Sequence, residues 1–188
     1  MISNKINIYI FARRPEISIG KSRLKNKIGK ILGSNFYHNN LSNLLRKLNS
    51  DKRINITLCV NPDSSTKNWP RHISPKIKRI PQGKGDIGKK MSKILNMNKE
   101  KKILIGSDIP KISTKVIMET WKKLNRCNVI LGPAYDGGFW LIGFANRTNI
   151  QNLFKNIDWH KNNTLKQVKN NIPKHKKLLF TQTLYDID

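Results

Sequence analysis

The sequence predicts an α/β fold, one domain of 188 residues (1–188) built on a mixed, mostly parallel sheet. Three observations predict it. Short apolar runs of strand length alternate with stretches of helical period along the whole chain. The stretch Lys5 to Phe11 carries Ile6, Ile8 and Ile10 on one face and Asn7, Tyr9 and Phe11 on the other, as suits a strand in the middle of a sheet. The stretch Lys101 to Phe144 holds two strands that each end in an acid beside glycine, with a helix between them. In open parallel sheets, ligands bind outside such strand ends.

The length leaves room for one full hydrophobic core, and 37% hydrophobic content is adequate to fill it. No run of 18 apolar residues occurs, so no membrane insertion is expected. The N-terminus alternates like a strand and lacks the apolar core of a signal peptide, which makes a cytoplasmic location the expectation. Cys59 and Cys127 both fall in predicted strands and read as buried free thiols. His38, His72, His160 and His175 are far apart and form no metal-spaced pair.

A net charge of +26 raises the question of nucleic acid. Lysine outnumbers arginine 28 to 9, however, and the lysines are spread along the chain among many Asn and Ile residues. That is the mark of an AT-rich coding sequence, not of a selected basic patch. No specific nucleic acid is expected, only salt-sensitive binding to polyanions. The 11 acids are more informative. Asp86, Asp108, Asp136, Asp158, Asp186 and Asp188 all lie near glycine-rich turns or element ends.

After the first strand, the basic loop Ala12 to Arg23 enters a helix around Lys21. Pro15 excludes a helix just before it. Such a loop is where α/β proteins hold phosphates, although a solvated basic turn reads the same way and the spacing is not a Walker A motif. Gly33 is expected to break this helix. A second helix, Phe36 to Leu48, presents Leu41, Leu44, Leu45 and Leu48 as a core stripe. Ile54 to Val60 is the second strand, ended by the turn Asn61-Pro62-Asp63. Trp69, in a loop, reads as a packing residue.

Ile77 to Ile80 is a short strand. It leads into Gly83-Lys84-Gly85-Asp86-Ile87-Gly88, where glycine permits close approach to a ligand and Asp86 can cap the helix Lys89 to Leu95. Strand Ile103 to Ile105 ends at Gly106-Ser107-Asp108, and the helix Ser113 to Leu124 follows. Strand Val129 to Leu131 ends at Gly132-Pro133-Ala134-Tyr135-Asp136-Gly137-Gly138, and Phe139 to Phe144 is the next strand. Either acid-glycine turn is also an ordinary turn sequence. Ile150 to Phe154 is expected as a short helix, Asn163 to Asn171 as another that Pro173 ends, and Leu178 to Phe180 as a last strand.

Taken together, Phe11-Ala-Arg-Arg-Pro15, Gly20-Lys-Ser-Arg-Leu24, Gly85-Asp-Ile-Gly-Lys-Lys-Met91, Ile105-Gly-Ser-Asp-Ile-Pro110, Leu131-Gly-Pro-Ala-Tyr-Asp-Gly-Gly-Phe-Trp-Leu-Ile-Gly143, Ile157-Asp-Trp159 and Asp186-Ile-Asp188 resemble a known family. This is the GT-A-type family of rSAM/selenodomain-associated transferases, related by fold to molybdenum cofactor and 2-phospho-lactate guanylyltransferases. The resemblance spans nearly the whole chain. It implies a three-layer, Rossmann-like GT-A (nucleotide-diphospho-sugar transferase) fold with a nucleotide diphosphate over the carboxyl ends of the central strands.

The resemblance also implies roles. Asp108 maps to the acid that holds a divalent metal, Mg²⁺ or Mn²⁺, which with a diphosphate would neutralise the leaving group. Lys21 and Arg23 match the family's Lys-Thr-Arg beside the phosphates, and Ala12, Arg13, Gly85 and Asp86 join them as nucleotide-binding positions. Asp136, Gly137 and Gly138 match the Asp-Gly-Gly turn facing sugar or acceptor, where Asp136, the second catalytic residue, could bond a sugar hydroxyl or serve as a base, with Asp158 on the acceptor side. The chain departs from the family at Ile17-Ser18, where Pro-Gly is usual, and at Tyr135, where Glu is typical.

The expected function is metal-dependent glycosyl transfer from a nucleotide sugar. The alternative is nucleotidyl transfer to a phosphorylated acceptor, and a third reading is a non-catalytic nucleotide- or nucleic-acid-binding protein. The expected partner is a nucleotide or nucleotide-sugar small molecule.

Overall fold

The computed structural model describes residues 5–15, 29–70, 73, 76–159 and 161–185. Its frame is a seven-stranded sheet of β1 (Ile6–Arg13), β2 (Ile54–Asn61), β3 (Lys78–Pro81), β4 (Lys102–Gly106), β5 (Val129–Pro133), β6 (Phe139–Phe144) and β7 (Leu178–Phe180). The spatial order is β3-β2-β1-β4-β6-β5-β7. Only β6 runs against its neighbours; every other pairing is parallel.

β1 sits between β2 and β4, where both its faces are covered. Ile8 and Ile10 are fully buried on one face and Tyr9 on the other. The mixed sheet and the buried first strand are therefore as the sequence predicts. The described α-helices are α1 (Lys30–Asn49), α2 (Ile87–Asn96), α3 (Thr114–Lys123) and α4 (Thr164–Asn170). α1 and α3 cover one face of the sheet, through Leu41, Leu45 and Leu48 of the first and Val116 and Ile117 of the second. α2 and α4 cover the other, through Met91, Ile94, Leu95 and Val168. The result is three layers, each apolar stripe facing the sheet.

Three expectations are corrected. Gly33 does not break a helix; it lies buried within α1, its N–H bonded to Gly29 O at 3.0 Å. One glycine inside a helix costs about 1 kcal/mol, and burying a single leucine of the stripe contributes about 1.5–3 kcal/mol, so packing wins. The helix over Ile150 to Phe154 is instead a run of turns. Asn152 and Asn156 hold φ of 59° and 57°, a left-handed conformation that a right-handed helix cannot include. Cys127 lies in the loop before β5, while Cys59 lies within β2; both are buried free thiols. The helix expected around Lys21 falls outside the described residues.

Trp69 is a packing residue, 6% exposed, with its indole N–H donating to Ile73 O at 3.1 Å. Among the described residues, no helix is long and apolar enough to cross a membrane.

Candidate functional site

The sheet order reverses direction between β1 and β4, and the crevice outside their carboxyl ends is the natural ligand position of such a sheet. β1 delivers Ala12 and Arg13 to that edge, and β4 delivers Ser107 and Asp108. Phe11 pairs with Gly106, so the carboxyl ends of β1 and β4 lie side by side.

A side chain of α1 locks the two strand ends together. The Tyr37 hydroxyl accepts from the Arg13 N–H and donates to the Arg13 carbonyl, both at 2.9 Å, and lies 3.3 Å from Ser107 Oγ. Asn40 Nδ2 donates to Ser107 O at 2.8 Å, and Ser107 Oγ donates to Asp108 Oδ1 at 3.3 Å. Burial, and then the nearby Asp108 carboxylate, push the Tyr37 phenol above its ordinary pKa, so it stays neutral and can donate. Asp108 thus projects, half-buried, from backbone held on both sides.

The glycine-rich loop closes the β2–β3 side of the crevice. Gln82, 5% exposed, donates from Nε2 to Cys59 O at 2.8 Å and to Ala12 O at 3.4 Å, tying the ends of β1 and β2. Gly85 has φ of 101°, a conformation open to glycine. Asp86 caps α2: its Oδ1 accepts from Lys89 N at 2.8 Å. That bond accounts for an aspartate at this position.

On the far side stands the β5–β6 turn. Ile105 pairs with Leu141, so the end of β4 lies beside the start of β6. The Asp136 turn therefore shares an edge with Asp108. Asp136 is exposed, and its Oδ1 accepts from Gly138 N at 2.8 Å. Gly137 has a reason that the sequence does not display. A Cβ there would lie 1.7 Å from Asn162 O, and φ is 87°. Leu165 N also donates to Gly137 O at 3.0 Å. The glycine makes room for the chain's own backbone ahead of α4.

The same segment carries Asp158. Its N–H donates to Gln167 Oε1 at 2.8 Å, its carbonyl accepts from Thr164 Oγ1 at 3.0 Å, and its carboxylate meets Lys161 Nζ at 3.1 Å. Asp158 and Gly137 are thus brought together through residues 161–165. The start of α2 packs on the residues before Asp158 and after it: a Cβ at Gly88 would lie 2.7 Å from Phe154 Cβ and 2.9 Å from Trp159 Cζ2. Phe154 in turn stacks on Phe139 with centroids 6.5 Å apart. An aromatic wall therefore runs from the start of β6 to the start of α2.

No group of three or more His, Cys, Asp or Glu side chains that could hold a metal occurs among the described residues. Asp108, beside the Ser107 hydroxyl, suits a cation shared with ligand phosphates; an all-protein cage is not present there. Lys21 and Arg23 lie outside the described residues, as do Asp186 and Asp188. Tyr37, Asn40 and Gln82 were not singled out from sequence. Tyr37 precedes Leu41 by four residues, so it continues the buried leucine stripe with a polar tip, which is the one signal that could have found it.

The family model described as an uncharacterized protein conserved in bacteria, DUF2064, matches residues 44–161. The chain belongs to this family. The matched part of this DUF2064 protein holds Gly85, Asp86, Asp108, the Asp136 turn and Asp158, while β1 and Tyr37 lie before it. No curated protein matches the sequence.

Solved structures share the DUF2064 protein's fold. A "putative nucleotide-diphospho-sugar transferase" from Desulfovibrio desulfuricans G20 superposes with TM-score 0.81 at 22% identity, over 100% of this chain and 83% of that one. The 4-diphosphocytidyl-2C-methyl-D-erythritol synthase of Anaerococcus prevotii DSM 20548 matches with TM-score 0.57 at 13% identity, over 98% and 90%. CMP:2-keto-3-deoxy-manno-octonic acid synthetase, solved with CTP, matches with TM-score 0.54 at 11% identity, over 96% and 91%. The fold is that of the nucleotide-diphospho-sugar transferases.

Proposed function

We propose that this DUF2064 protein is a transferase that moves a glycosyl group from a nucleotide-diphosphate sugar to a hydroxyl acceptor, with a divalent metal. The observation that carries the reading is Asp108, half-buried at the end of β4, at the switch point and on the same edge as the Asp136 turn. The likeness to the Desulfovibrio protein supports the substrate class. Membership of the rSAM/selenodomain-associated transferases and a cytoplasmic location belong to the same proposal.

Ala12, Arg13, Gly85, Lys21 and Arg23 would hold the nucleotide, the last two at its diphosphate, as the family resemblance implies. Asp86 stands beside them at the start of α2. Asp108 would hold Mg²⁺ or Mn²⁺, which supplies charge neutralisation for the departing diphosphate when bound. Asp136 would take the proton of the acceptor hydroxyl as its oxygen bonds the sugar carbon and the bond from that carbon to the diphosphate breaks. The nucleoside diphosphate leaves. Gly138, Gly137 and the Asp158 segment would position the acceptor around that carboxylate.

The two cytidine-nucleotide neighbours support a second reading, nucleotidyl transfer from a nucleoside triphosphate. Product analysis separates them: free nucleoside diphosphate marks glycosyl transfer, and pyrophosphate marks nucleotidyl transfer.

The direct test is a calorimetric titration of nucleotides into wild type and Asp108→Asn, each with Mn²⁺ and with EDTA. Wild type should bind far more tightly with Mn²⁺, since metal and nucleotide strengthen each other by linkage. Asp108→Asn should lose that gain while keeping its fold. Equal binding in EDTA, or a metal effect that survives the substitution, overturns the assignment.

A further inference from the structure

Tyr135 and Tyr185 form a stacked pair on the rim of the crevice. Their ring centroids are 3.8 Å apart and the planes differ by 9°. Both remain well exposed, 60% and 56%. Each therefore covers one ring face with its partner and leaves surface outward. The pair is anchored by backbone: Tyr135 N donates to Leu184 O at 3.3 Å, Leu184 N donates to Pro133 O at 3.1 Å, and the Leu184 side chain is buried. Trp140 Nε1 adds a bond to Gln182 O at 2.9 Å. Large flat rings are thus held on a fixed frame in the open, at the residue that precedes the exposed Asp136.

Their place in the fold decides what they face. The turn carrying Tyr135 follows β5, whose carboxyl end lies on the same edge as those of β1 and β4. It stands on the β5–β6 side of Asp108, away from the β1–β2–β3 half with its Gly83–Asp86 loop. An aromatic face next to a carboxylate suits a sugar ring: the ring's apolar C–H face lies on the aromatic, and the carboxylate accepts from its hydroxyls.

We propose that Tyr135, backed by Tyr185, is the platform of a carbohydrate acceptor subsite, with Asp136 binding the acceptor's hydroxyls. The substrate class is a neutral pyranoside. The proposal rests on the glycosyl-transfer reading and names its acceptor. It also explains why a tyrosine stands beside Asp136: an acid there would offer hydroxyl contacts but no surface for a ring to lie on.

The chain has four tyrosines, and Tyr9 and Tyr37 are buried, so ring-labelled tyrosine gives two exposed reporters and two internal controls. The probes are methyl pyranosides of glucose, galactose, mannose and N-acetylglucosamine, added at millimolar concentration without nucleotide. At least one should shift the Tyr135 and Tyr185 signals and leave Tyr9 and Tyr37 in place. Tyr135→Ala should weaken that binding about tenfold or more, which corresponds to about 1.4 kcal/mol, whereas Tyr135→Phe should retain it. Unchanged Tyr9 and Tyr37 signals in both variants show that the fold is kept. Signals unmoved by every glycoside, or equal binding by Tyr135→Ala, overturn the proposal. A nucleotide that alone shifts Tyr135 assigns the platform to the base and overturns it as well. Failure of the donor reading shows separately, as loss of metal-dependent nucleotide binding in the calorimetric titration.

Discussion

The hydroxyls of Tyr37 and Ser107 lie 3.3 Å apart, although 70 residues separate them in the chain. Through this contact α1 fixes the spacing of the β1 and β4 ends, and with it the position of Asp108. The phenol also satisfies both backbone groups of Arg13.

Tyr37→Phe removes all of these bonds and leaves part-buried backbone groups of Arg13 and the buried Ser107 hydroxyl without this partner. The expected loss of stability is about 1–3 kcal/mol, the usual penalty for stranding buried polar groups. Urea unfolding measures it. Metal-dependent nucleotide affinity should fall in the same variant, because the strand ends that carry Arg13 and Asp108 are no longer tied.

Gly137→Ala meets two obstacles: a positive φ and a Cβ overlapping Asn162 O. Backbone cannot yield as a flexible side chain can, so a loss of about 2–4 kcal/mol is expected. Gly138→Ala is the control. Its Cβ would approach only the Asp136 side chain, at 3.1 Å, so the loss should be below about 1 kcal/mol. Equal thermal shifts in the two variants would contradict this account.

Asp86→Ala removes the cap of α2 and should cost about 0.5–2 kcal/mol in urea unfolding, with Asp86→Asn nearly neutral. Nucleotide titration of the same variants separates the two roles of this residue. A cap alone leaves affinity within about twofold, while a ligand contact loses more than that in both variants.

Lys102 is 1% exposed, and its Nζ donates to Leu95 O at 3.2 Å and Asn98 O at 2.8 Å. Burial lowers its pKa from 10.5 to about 8. Between these values the unfolded chain binds the proton and the folded chain does not, so this group makes stability rise with pH across about 8 to 10.5. Below that window the folded state carries the full cost of the buried charge. Wild type should gain on the order of 1–3 kcal/mol relative to Lys102→Met as pH is raised through the window. Parallel stability curves for the two proteins would refute it.

The sequence by itself determined the layered α/β class, the seven strands, the cap at Asp86, and the presence of acids at the ends of β4 and β5. These are local properties: period, apolar run length and turn chemistry are written in consecutive residues. Only the tertiary structure decided that α1 runs through Gly33, that residues 150–154 form turns, and that Gly137 serves backbone packing against Asn162. It alone joined Tyr37 to Ser107, buried Lys102 among the carbonyls of Leu95 and Asn98, and stacked Tyr135 on Tyr185. Each of these joins residues or segments that the sequence holds apart, or turns on packing that overrides a local preference, and a contact across the fold leaves no periodic trace in the chain.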